Sequence, residues 1–238
     1  MNGCDISVII PVFHEECLIN ETVDALYGLA FDGRLEIIVA DGDPQGSTLK
    51  AIRDPRVTKI CSEKGRGKQM NTGARLASGE VLLFLHADTE LPPDGFNRIN
   101  EVMRDDGCMG GSFDLGIASD RLCFRLIERA ACIRSRVTRM PYGDQAIFLR
   151  KDCFLSLGGF RELPLMEDVD LMRRVRRSGG KIHIIRDKIK TSARRWESEG
   201  VLYCTVRNWT LVLLWRAGVS PERLARFYHD HTEENRLR

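Results

Sequence analysis

The stretch that decides the fold is "VLLFLHADTELPP", residues 81–93. Five apolar residues run directly into His86, Ala87 and Asp88. An uninterrupted apolar run that stops at polar residues predicts a strand buried on both faces, as in a parallel sheet. The question it raises is whether His86 and Asp88 do chemistry at the end of this strand or only close it off.

His86 and Asp88 are two residues apart, so in an extended chain both side chains point the same way and can reach one ligand. A carboxylate is a hard oxygen ligand that suits Mg²⁺ or Mn²⁺ carrying a diphosphate, and a neighbouring histidine shifts the preference towards Mn²⁺. The alternative is that Asp88 caps the turn leading to Pro92 and Pro93. The local sequence is compatible with both interpretations.

The same strand pattern recurs on the N-terminal side. Residues 6–12 ("ISVIIPV") and 35–40 ("LEIIVA") are further continuous apolar runs, and segments with helical spacing follow at 19–30 and 68–77. Strands and helices that alternate at this short spacing predict βαβ units. The expected fold class is therefore α/β, with a mainly parallel central sheet flanked by helices.

Polar residues follow three of these strands, at 13–15, 41–43 and 86–88. In open α/β sheets, ligands bind beyond the carboxyl ends of the strands, so the three segments predict a functional site at one sheet edge. Taken alone, Asp41 and Asp43 also fit an ordinary Asp-Gly turn. A carboxylate here could instead accept hydrogen bonds from a nucleobase or ribose.

A basic loop, "EKGRGKQMNTG" at 63–73, is similar to a phosphate-binding loop but matches neither known pattern. Ser62 and Gln69 stand where a P-loop needs glycine and Ser or Thr, and Met70 replaces the third glycine of G-x-G-x-x-G. The loop still suits a diphosphate through its backbone N–H groups and positive charge. A simple surface cap is the alternative.

Two segments in the second half carry further candidate chemistry. Glu167 and Asp168 begin a predicted helix, where acids commonly favour the helix dipole but where a carboxylate can also act as a general base. Arg194, Arg195 and Trp196 lie together, and suit binding of phosphate oxygens and stacking on a sugar. A surface patch would explain the second group equally well.

Composition narrows the class of protein. The chain has 238 residues and a net charge of +2, which gives no support to a nucleic-acid binder. Its eight cysteines are irregularly spaced and predict reduced thiols in a cytoplasmic protein. No signal peptide is recognisable, and the longest apolar run is shorter than the ~20 residues of a membrane span.

Five motifs in order resemble those of family 2 glycosyltransferases, which have the nucleotide-diphospho-sugar transferase (GT-A) fold. "SVIIPVFHEE" (7–16) resembles the family's "IPxYNEE", and "VADGD" (39–43) its "VDDGS". The remaining three are "GRGKQMNTGARLASGEVLLFLHADTEL" (65–91), "LGGFRELPLMEDVDLMRRVRRSG" (157–179) and "SARRW" (192–196), which resemble the family's DxD segment, its ED motif and its QxxRW motif. The resemblance extends from about residue 6 to residue 196.

This resemblance implies a set of site residues. Those of the nucleotide-sugar pocket would be Pro11, Phe13, Glu15, Asp41, Lys68, Ala87 and Asp88. Asp88, with His86 beside it, would coordinate Mg²⁺ or Mn²⁺, and Asp168 would be the catalytic base. Near the diphosphate and acceptor would lie Glu167, Arg195 and Trp196.

The chain departs from the family pattern at three positions, where His86, Ala40 and Ser192 replace the first Asp of DxD, the first Asp of DDGS and the Gln of QxxRW. A narrower resemblance, carried by residues 141–151 and 191–196, is to a small soluble bacterial subgroup that includes arsenosugar-biosynthesis-type glycosyltransferases.

The implied activity is metal-dependent, inverting transfer of a sugar from a nucleotide-diphospho-sugar, UDP-linked, to an acceptor hydroxyl. A sugar nucleotidyltransferase is one alternative, but it would carry a glycine-rich basic loop after the first strand, where this chain has "VFHEE" (12–16). The other alternative is a non-catalytic module that binds nucleotide sugars without turnover.

Residues 1–197 are expected to form the GT-A domain, and 198–238 a helical extension outside the resemblance. "GVLYCTVRNWTLVLLWRAG" (200–218) has the length of a helix, and "SPERLARFY" (220–228) begins with a helix-start pattern. The extension could pack on its own domain, form a homodimer contact, or lie on the inner face of a membrane.

Overall fold

The computed structural model describes residues 4–228. The strands are β1 Ile6–Val12, β2 Leu35–Asp41, β3 Thr58–Cys61, β4 Val81–Phe84, β5 Thr89–Glu90, β6 Cys108–Asp114, β7 Ile117–Ala118, β8 Phe148–Arg150, β9 Lys181–Lys188 and β10 Lys190–Ser192. The helices are α1 Ile19–Tyr27, α2 Ser47–Ala51, α3 Arg66–Leu76, α4 Gly95–Met103, α5 Leu122–Thr138, α6 Lys151–Ser156, α7 Glu167–Arg177, α8 Arg194–Glu199, α9 Val201–Arg216 and α10 Pro221–Ala225. A 3-10 turn, Gly143–Gln145, precedes β8.

Seven strands form the central sheet, in the order β3-β2-β1-β4-β8-β6-β9. The pairs β1–β2, β1–β4, β2–β3 and β6–β9 are parallel, and only β8 runs antiparallel to its two neighbours. A second sheet of three short strands has the order β5-β10-β7. The predicted α/β fold, with a mainly parallel sheet flanked by helices, is confirmed.

The two faces of the central sheet carry separate apolar cores. Val8 and Ile10 of β1 pack with Leu83 of β4 on one face, whereas Ile9 packs with Leu82 on the other. Successive strand residues point to opposite faces, so burial of both faces favours apolar side chains at nearly every position; the buried Ser7 of β1 is an exception that donates to Glu36 of β2 at 2.6 Å. This explains the predominantly apolar runs in the sequence.

The last two helices contact the rest of the chain through a smaller buried cluster. Leu211 of α9 and Leu224 of α10 join Met166 and Val169 at the start of α7. Within residues 4–228 no helix is long and apolar enough to cross a membrane. The domain boundary after residue 197 falls inside α8 and stays a prediction, and residues 229–238 of the expected extension lie outside the described residues.

Candidate functional site

The carboxyl ends of β1, β2 and β4 lie side by side and bring the three polar segments 13–15, 41–43 and 86–88 to one edge of the sheet. His14 Nδ1 is 3.8 Å from Asp43 Oδ2, which joins the first segment to the second. Arg194 joins the first to the third, because its Nη2 is 3.8 Å from Glu15 Oε2 and 3.5 Å from Asp88 Oδ2.

Asp41 organises the loop that follows β2. Its side chain is buried, and its two carboxylate oxygens accept the backbone N–H groups of Asp43 at 2.9 Å and Thr48 at 3.1 Å. Burial raises the pKa of Asp41, and these hydrogen bonds partly offset the rise. Asp43 in turn accepts N–H groups at the entrance to α2. Both acids therefore make the hydrogen bonds of a structured turn.

Gln69 of α3 ties the ends of two strands together. Its side-chain amide donates to the carbonyl of Val12 at 2.6 Å and to that of Ala40 at 2.9 Å, and the residue is buried. Because buried carbonyls need partners, this amide supports the backbone from which the first two polar segments emerge. In the sequence, Gln69 occupies the position where a P-loop has Ser or Thr. This departure from the P-loop pattern is the sequence feature that marked the residue as unusual.

His86 and Asp88 project from the end of β4 in different environments. Burial, with Arg66 and Arg195 nearby, lowers the pKa of His86 to about 4, so its imidazole is neutral near pH 7. The Asp88 side chain is 30% exposed and faces Arg194. Burial raises the pKa of the neighbouring Glu15, and Arg194 opposes that rise.

The first turn of α7 holds three acids with different surroundings. Glu167 is buried and paired with Arg66 of α3 at 2.9 Å, and burial raises its pKa against the effect of that arginine. Asp170 is paired with Arg174 at 2.8 Å. Asp168 instead turns towards the strand ends, where its Oδ2 accepts the backbone N–H of Gly143 at 2.5 Å.

Gly143 lies between Asp168 and His86. A Cβ atom added to it would stand 3.1 Å from Asp168 Oδ2 and 3.5 Å from His86 Nε2, so the 3-10 turn brings its backbone against both side chains. The predicted base and the predicted metal-site histidine are thus adjacent, although 82 residues separate them in the chain.

Asp144, the next residue, is a candidate that sequence reasoning missed. Its Oδ1 is buried and, among the described residues, has no hydrogen-bond partner. Burial raises its pKa, Arg134 opposes the rise and Asp168 adds to it. A buried oxygen without a partner is uncommon in folded proteins and marks a group that a ligand or water can satisfy. The sequence signal was "GDQ" at 143–145, which reads locally as a turn.

Unfavourable backbone conformations cluster at this edge. Outside glycine, positive φ angles occur among the described residues at His14, Arg139, Ala146 and Met166. His14 follows β1, Ala146 follows the 3-10 turn, and Met166 immediately precedes Glu167. Such conformations cost energy, persist only where the surroundings enforce them, and concentrate at functional sites.

The remaining predicted donor-site residues surround this group. Pro11 lines a small cavity shared with His86 and Asp168. The Phe13 ring lies 4.2 Å from the ammonium of Lys64, and the buried Ala87 accepts a hydrogen bond from Thr22 through its carbonyl. The ammonium of Lys68 pairs with the exposed Glu63 at 2.5 Å, and its place near the nucleotide stays a prediction.

The three neighbouring residues at the start of α8 make different contacts, and the assignment of Arg195 and Trp196 to the diphosphate and acceptor stays a prediction. Arg195 donates to the hydroxyl of Tyr228, and Trp196 packs edge-on against Phe124 of α5 with ring centroids 6.1 Å apart. Arg194, which was not among the assigned site residues, is the arginine that faces Glu15 and Asp88. The sequence alone could not assign contacts to each of these two adjacent arginines, because the direction of their side chains depends on where α8 begins.

Comparison with known proteins agrees with this geometry. Residues 7–160 match the family model described as Glycosyl transferase family 2. The chain belongs to that family. Family 2 membership confirms the family and the enzyme class, glycosyltransferase, that the motifs predicted.

Curated relatives of this family 2 chain are distant and longer. They include a probable glycosyltransferase, YdaM, of Bacillus subtilis, 26% identical over 82% of this chain and 50% of its own length. Another is a dolichol-phosphate mannosyltransferase of Pyrococcus furiosus, 27% identical over 56% of this chain and 40% of its own length. The chain spans about half the length, or less, of these relatives.

Solved structures share the fold of this family 2 chain. S. aureus TarS 1–349 in complex with UDP superposes with a TM-score of 0.62 at 17% identity, covering 79% of this chain and 60% of the other. A mannosyltransferase from Pyrobaculum calidifontis in complex with GDP-Man and Mn²⁺ gives 0.61 at 19% identity, covering 80% and 57%. At these identities the likeness establishes the fold alone.

The residues at the end of β4 can bind a divalent ion only if other groups, such as phosphate oxygens and water, supply the rest of its ligands. Within residues 4–228 no cluster of three or more His, Cys, Asp or Glu side chains could hold a metal. The Asp88 carboxylate and the neutral imidazole of His86 offer two donors. Mg²⁺ and Mn²⁺ sites in nucleotide enzymes commonly use one or two protein ligands and complete their shell with phosphate oxygens and water. The donor set therefore fits an ion that binds together with a diphosphate.

Proposed function

We propose that this protein transfers a sugar from a nucleotide-diphospho-sugar to an acceptor hydroxyl in a single displacement that inverts the anomeric carbon. The observation that carries the proposal is the meeting of Asp168 with the end of β4: Gly143 stands against both Asp168 and His86. A carboxylate is thereby placed beside the strand ends where α/β sheets bind their ligands.

Asp168 acts as the general base in this proposal. The N–H of Gly143 fixes one carboxylate oxygen, and the first turn of α7 favours the negative charge. The carboxylate takes the proton from the acceptor hydroxyl while that oxygen bonds to the anomeric carbon and the bond to the diphosphate breaks. Attack on the face opposite the leaving group inverts the configuration.

Asp88 and His86 would hold Mg²⁺ or Mn²⁺, and the ion would neutralise charge on the departing diphosphate. Arg194 lies beside Asp88 and supplies a further positive charge at the same place. A UDP-linked donor is our proposal, supported by the UDP complex of the fold neighbour TarS. The second fold neighbour was solved in complex with GDP-Man, so GDP-mannose is the donor to compare with UDP-linked sugars.

Residues 1–197 are proposed to carry the transferase domain, and 198–238 an extension. The narrower resemblance of residues 141–151 and 191–196 supports a small-molecule acceptor of the arsenosugar type. We further propose a cytoplasmic location in which the extension provides a contact surface, either to a second copy or to a membrane.

The test is the variant Asp168→Asn, which keeps the shape of the side chain and removes the base. General-base catalysis contributes roughly 10²–10⁴-fold, so nucleotide release in the presence of hydroxyl acceptors should fall by about that factor. Donor binding, measured by thermal shift with UDP-sugars or GDP-mannose with and without Mn²⁺, should be retained. Asp152→Asn, an exposed aspartate in the first turn of α6, is the matched control.

Equal turnover by Asp168→Asn and Asp152→Asn would exclude Asp168 as the base. Nucleotide binding with no turnover of any donor by the wild type would favour the non-catalytic module. Stabilisation by sugar phosphates with nucleoside triphosphates, but by no nucleotide sugar, would favour the nucleotidyltransferase.

A further inference from the structure

Exposed apolar side chains are concentrated on two helices. Thirteen large hydrophobic residues of the described chain are exposed, and all but Leu76 and Leu155 lie on α5, on α9 or just beyond α10. We define the apolar face as the following eight residues: Leu122, Leu126, Ile133 and Val137 of α5, with Leu202, Val206, Trp209 and Leu213 of α9.

The spacing places these residues in two stripes. On α5 they are separated by four, seven and four positions, and on α9 by four, three and four, so each set lies along one side of its helix. The α9 helix is apolar on almost every side, a composition that usually belongs to a buried helix. Yet only Cys204, Arg207 and Leu211 of α9 are buried. A surface of this kind is normally covered by something.

The two helices border the same side of the domain. Near their N-terminal ends, Phe124 of α5 contacts Trp196, which lies in α8 just ahead of α9. Near their C-terminal ends, Met140, just after α5, shares a buried cluster with Leu211 of α9. The two helices therefore lie near each other at both ends.

The exposed charged residues of α5 and α9 themselves have one sign. Five exposed residues of the 121–139 segment are ionisable, and all are arginines: Arg121, Arg125, Arg129, Arg136 and Arg139. Arg136 is paired with the buried Asp114, and Arg139 donates to the carbonyl of Ile182 in β9, so the charges beside the start of α5 are those of Arg121, Arg125 and Arg129. The acid of this segment, Glu128, is buried and paired with Arg125 at 2.8 Å and with Lys188 at 2.7 Å. On α9 the exposed charged residue is Arg216, and that helix contains no Asp or Glu. Asp120 lies just before the arginine-rich segment.

Charge decides between the two occupants that such a face could have. A symmetric contact with a second copy would set the same patch against itself and bring one row of arginines towards the other, which is unfavourable. A bilayer with anionic headgroups attracts the arginines, whose long side chains reach the headgroup level while the apolar residues enter the acyl boundary. Because no helix of residues 4–228 is a spanning candidate, the contact lies at the membrane surface.

We propose that the apolar face and its arginines dock this protein on the surface of a bilayer that contains anionic lipid. The proposal goes beyond the proposed transfer reaction and does not depend on it. It also extends the contact surface to α5, which the sequence placed inside the transferase domain.

The experiment is co-sedimentation of the full chain with vesicles of phosphatidylcholine alone or with a quarter of phosphatidylglycerol. We expect strong binding only to the anionic vesicles, weakened by raising the salt concentration because surface charges are screened. The double variant Leu126→Glu with Ile133→Glu should lower the partition constant at least tenfold. Arg121→Gln with Arg129→Gln should remove much of the dependence on phosphatidylglycerol.

The control is Leu76→Glu with Leu155→Glu, which changes two equally exposed leucines outside the apolar face and should bind as the wild type does. Circular dichroism and thermal melts of each variant establish that it is folded. Failure of the wild type to bind anionic vesicles would overturn the proposal, as would loss of binding in the control alone. A dimer in sedimentation that Leu126→Glu dissociates, without vesicle binding, would assign the face to a second copy.

Discussion

Asp144 shows how much one side chain can depend on its surroundings. Its buried Oδ1 lacks a partner among the described residues, and burial raises its pKa. The folded protein therefore holds this proton to a higher pH than the unfolded chain, so ionisation of Asp144 lowers stability as the pH rises through its folded pKa. A role in function can explain the presence of a residue that lowers the stability of the protein at neutral pH.

We predict that Asp144→Asn raises the free energy of unfolding at pH 7 by about 1 kcal/mol, since it removes an acid whose charged form is disfavoured by burial. The gain should shrink towards low pH, where the wild-type carboxyl is also neutral. Transfer activity should fall, because an amide cannot replace a carboxylate beside Asp168. Urea denaturation at several pH values and a transfer assay measure both effects, and a stability loss at pH 7 would contradict this account.

At the scale of elements, α3 and α7 are connected by a charge pair rather than by apolar packing alone. Arg66 begins α3, Glu167 begins α7, and their side chains meet at 2.9 Å with Glu167 almost fully buried. Removal of one partner leaves a buried charge without compensation, which is the costly way to break such a pair. The pair thus sets how the start of α7 lies against the strand ends.

We predict that Arg66→Ala lowers stability by about 1–3 kcal/mol, below the cost for a fully buried pair because the arginine is partly exposed. The matched control is Lys68→Ala in the same turn of α3, whose partner Glu63 is exposed; its melting temperature should not change measurably. The resemblance nevertheless places Lys68 near the donor, so nucleotide binding should be measured for both variants. Equal destabilisation by the two substitutions would refute the argument.

At the scale of the whole molecule, the C-terminal helices support the site from a distance. Leu211 of α9 packs in the cluster that contains Met166 and Val169, which flank Glu167 and Asp168. Leu213 lies on the same helix but is 64% exposed. The same substitution at Leu211 and at Leu213 therefore compares the effect of the buried side of α9 with that of its exposed side.

Leu211→Ala should destabilise the protein by about 2–5 kcal/mol, as deletions of buried leucine side chains do, and should also lower turnover by loosening the start of α7. Leu213→Ala should leave thermal stability and turnover near wild type while weakening vesicle binding. Thermal melts, a transfer assay and co-sedimentation of the two variants provide the comparison. A reversed order of stability would mean that α9 packs with its other side inward.

The sequence predicted the sheet well because burial on both faces leaves a direct trace, the predominantly apolar runs at 6–12, 35–40 and 81–85. It also predicted which strand ends would share an edge, since parallel strands place their carboxyl ends together. It could not predict that Asp144 lies near Asp168, or that Arg194 faces Asp88. Those contacts depend on the path of a 3-10 turn and on the first residue of α8, and neither leaves a periodic signal.

The hydrogen bond between Gly143 and Asp168 has a consequence for how this protein can change over time. The donor is a main-chain N–H, which every amino acid except proline supplies. Side chains that flank the 3-10 turn, outside Gly143 and Asp144, could therefore be exchanged, and the choice of acceptor altered with them, while the carboxylate keeps its anchor. New specificities would then be open to this chain without a need to rebuild the proposed base.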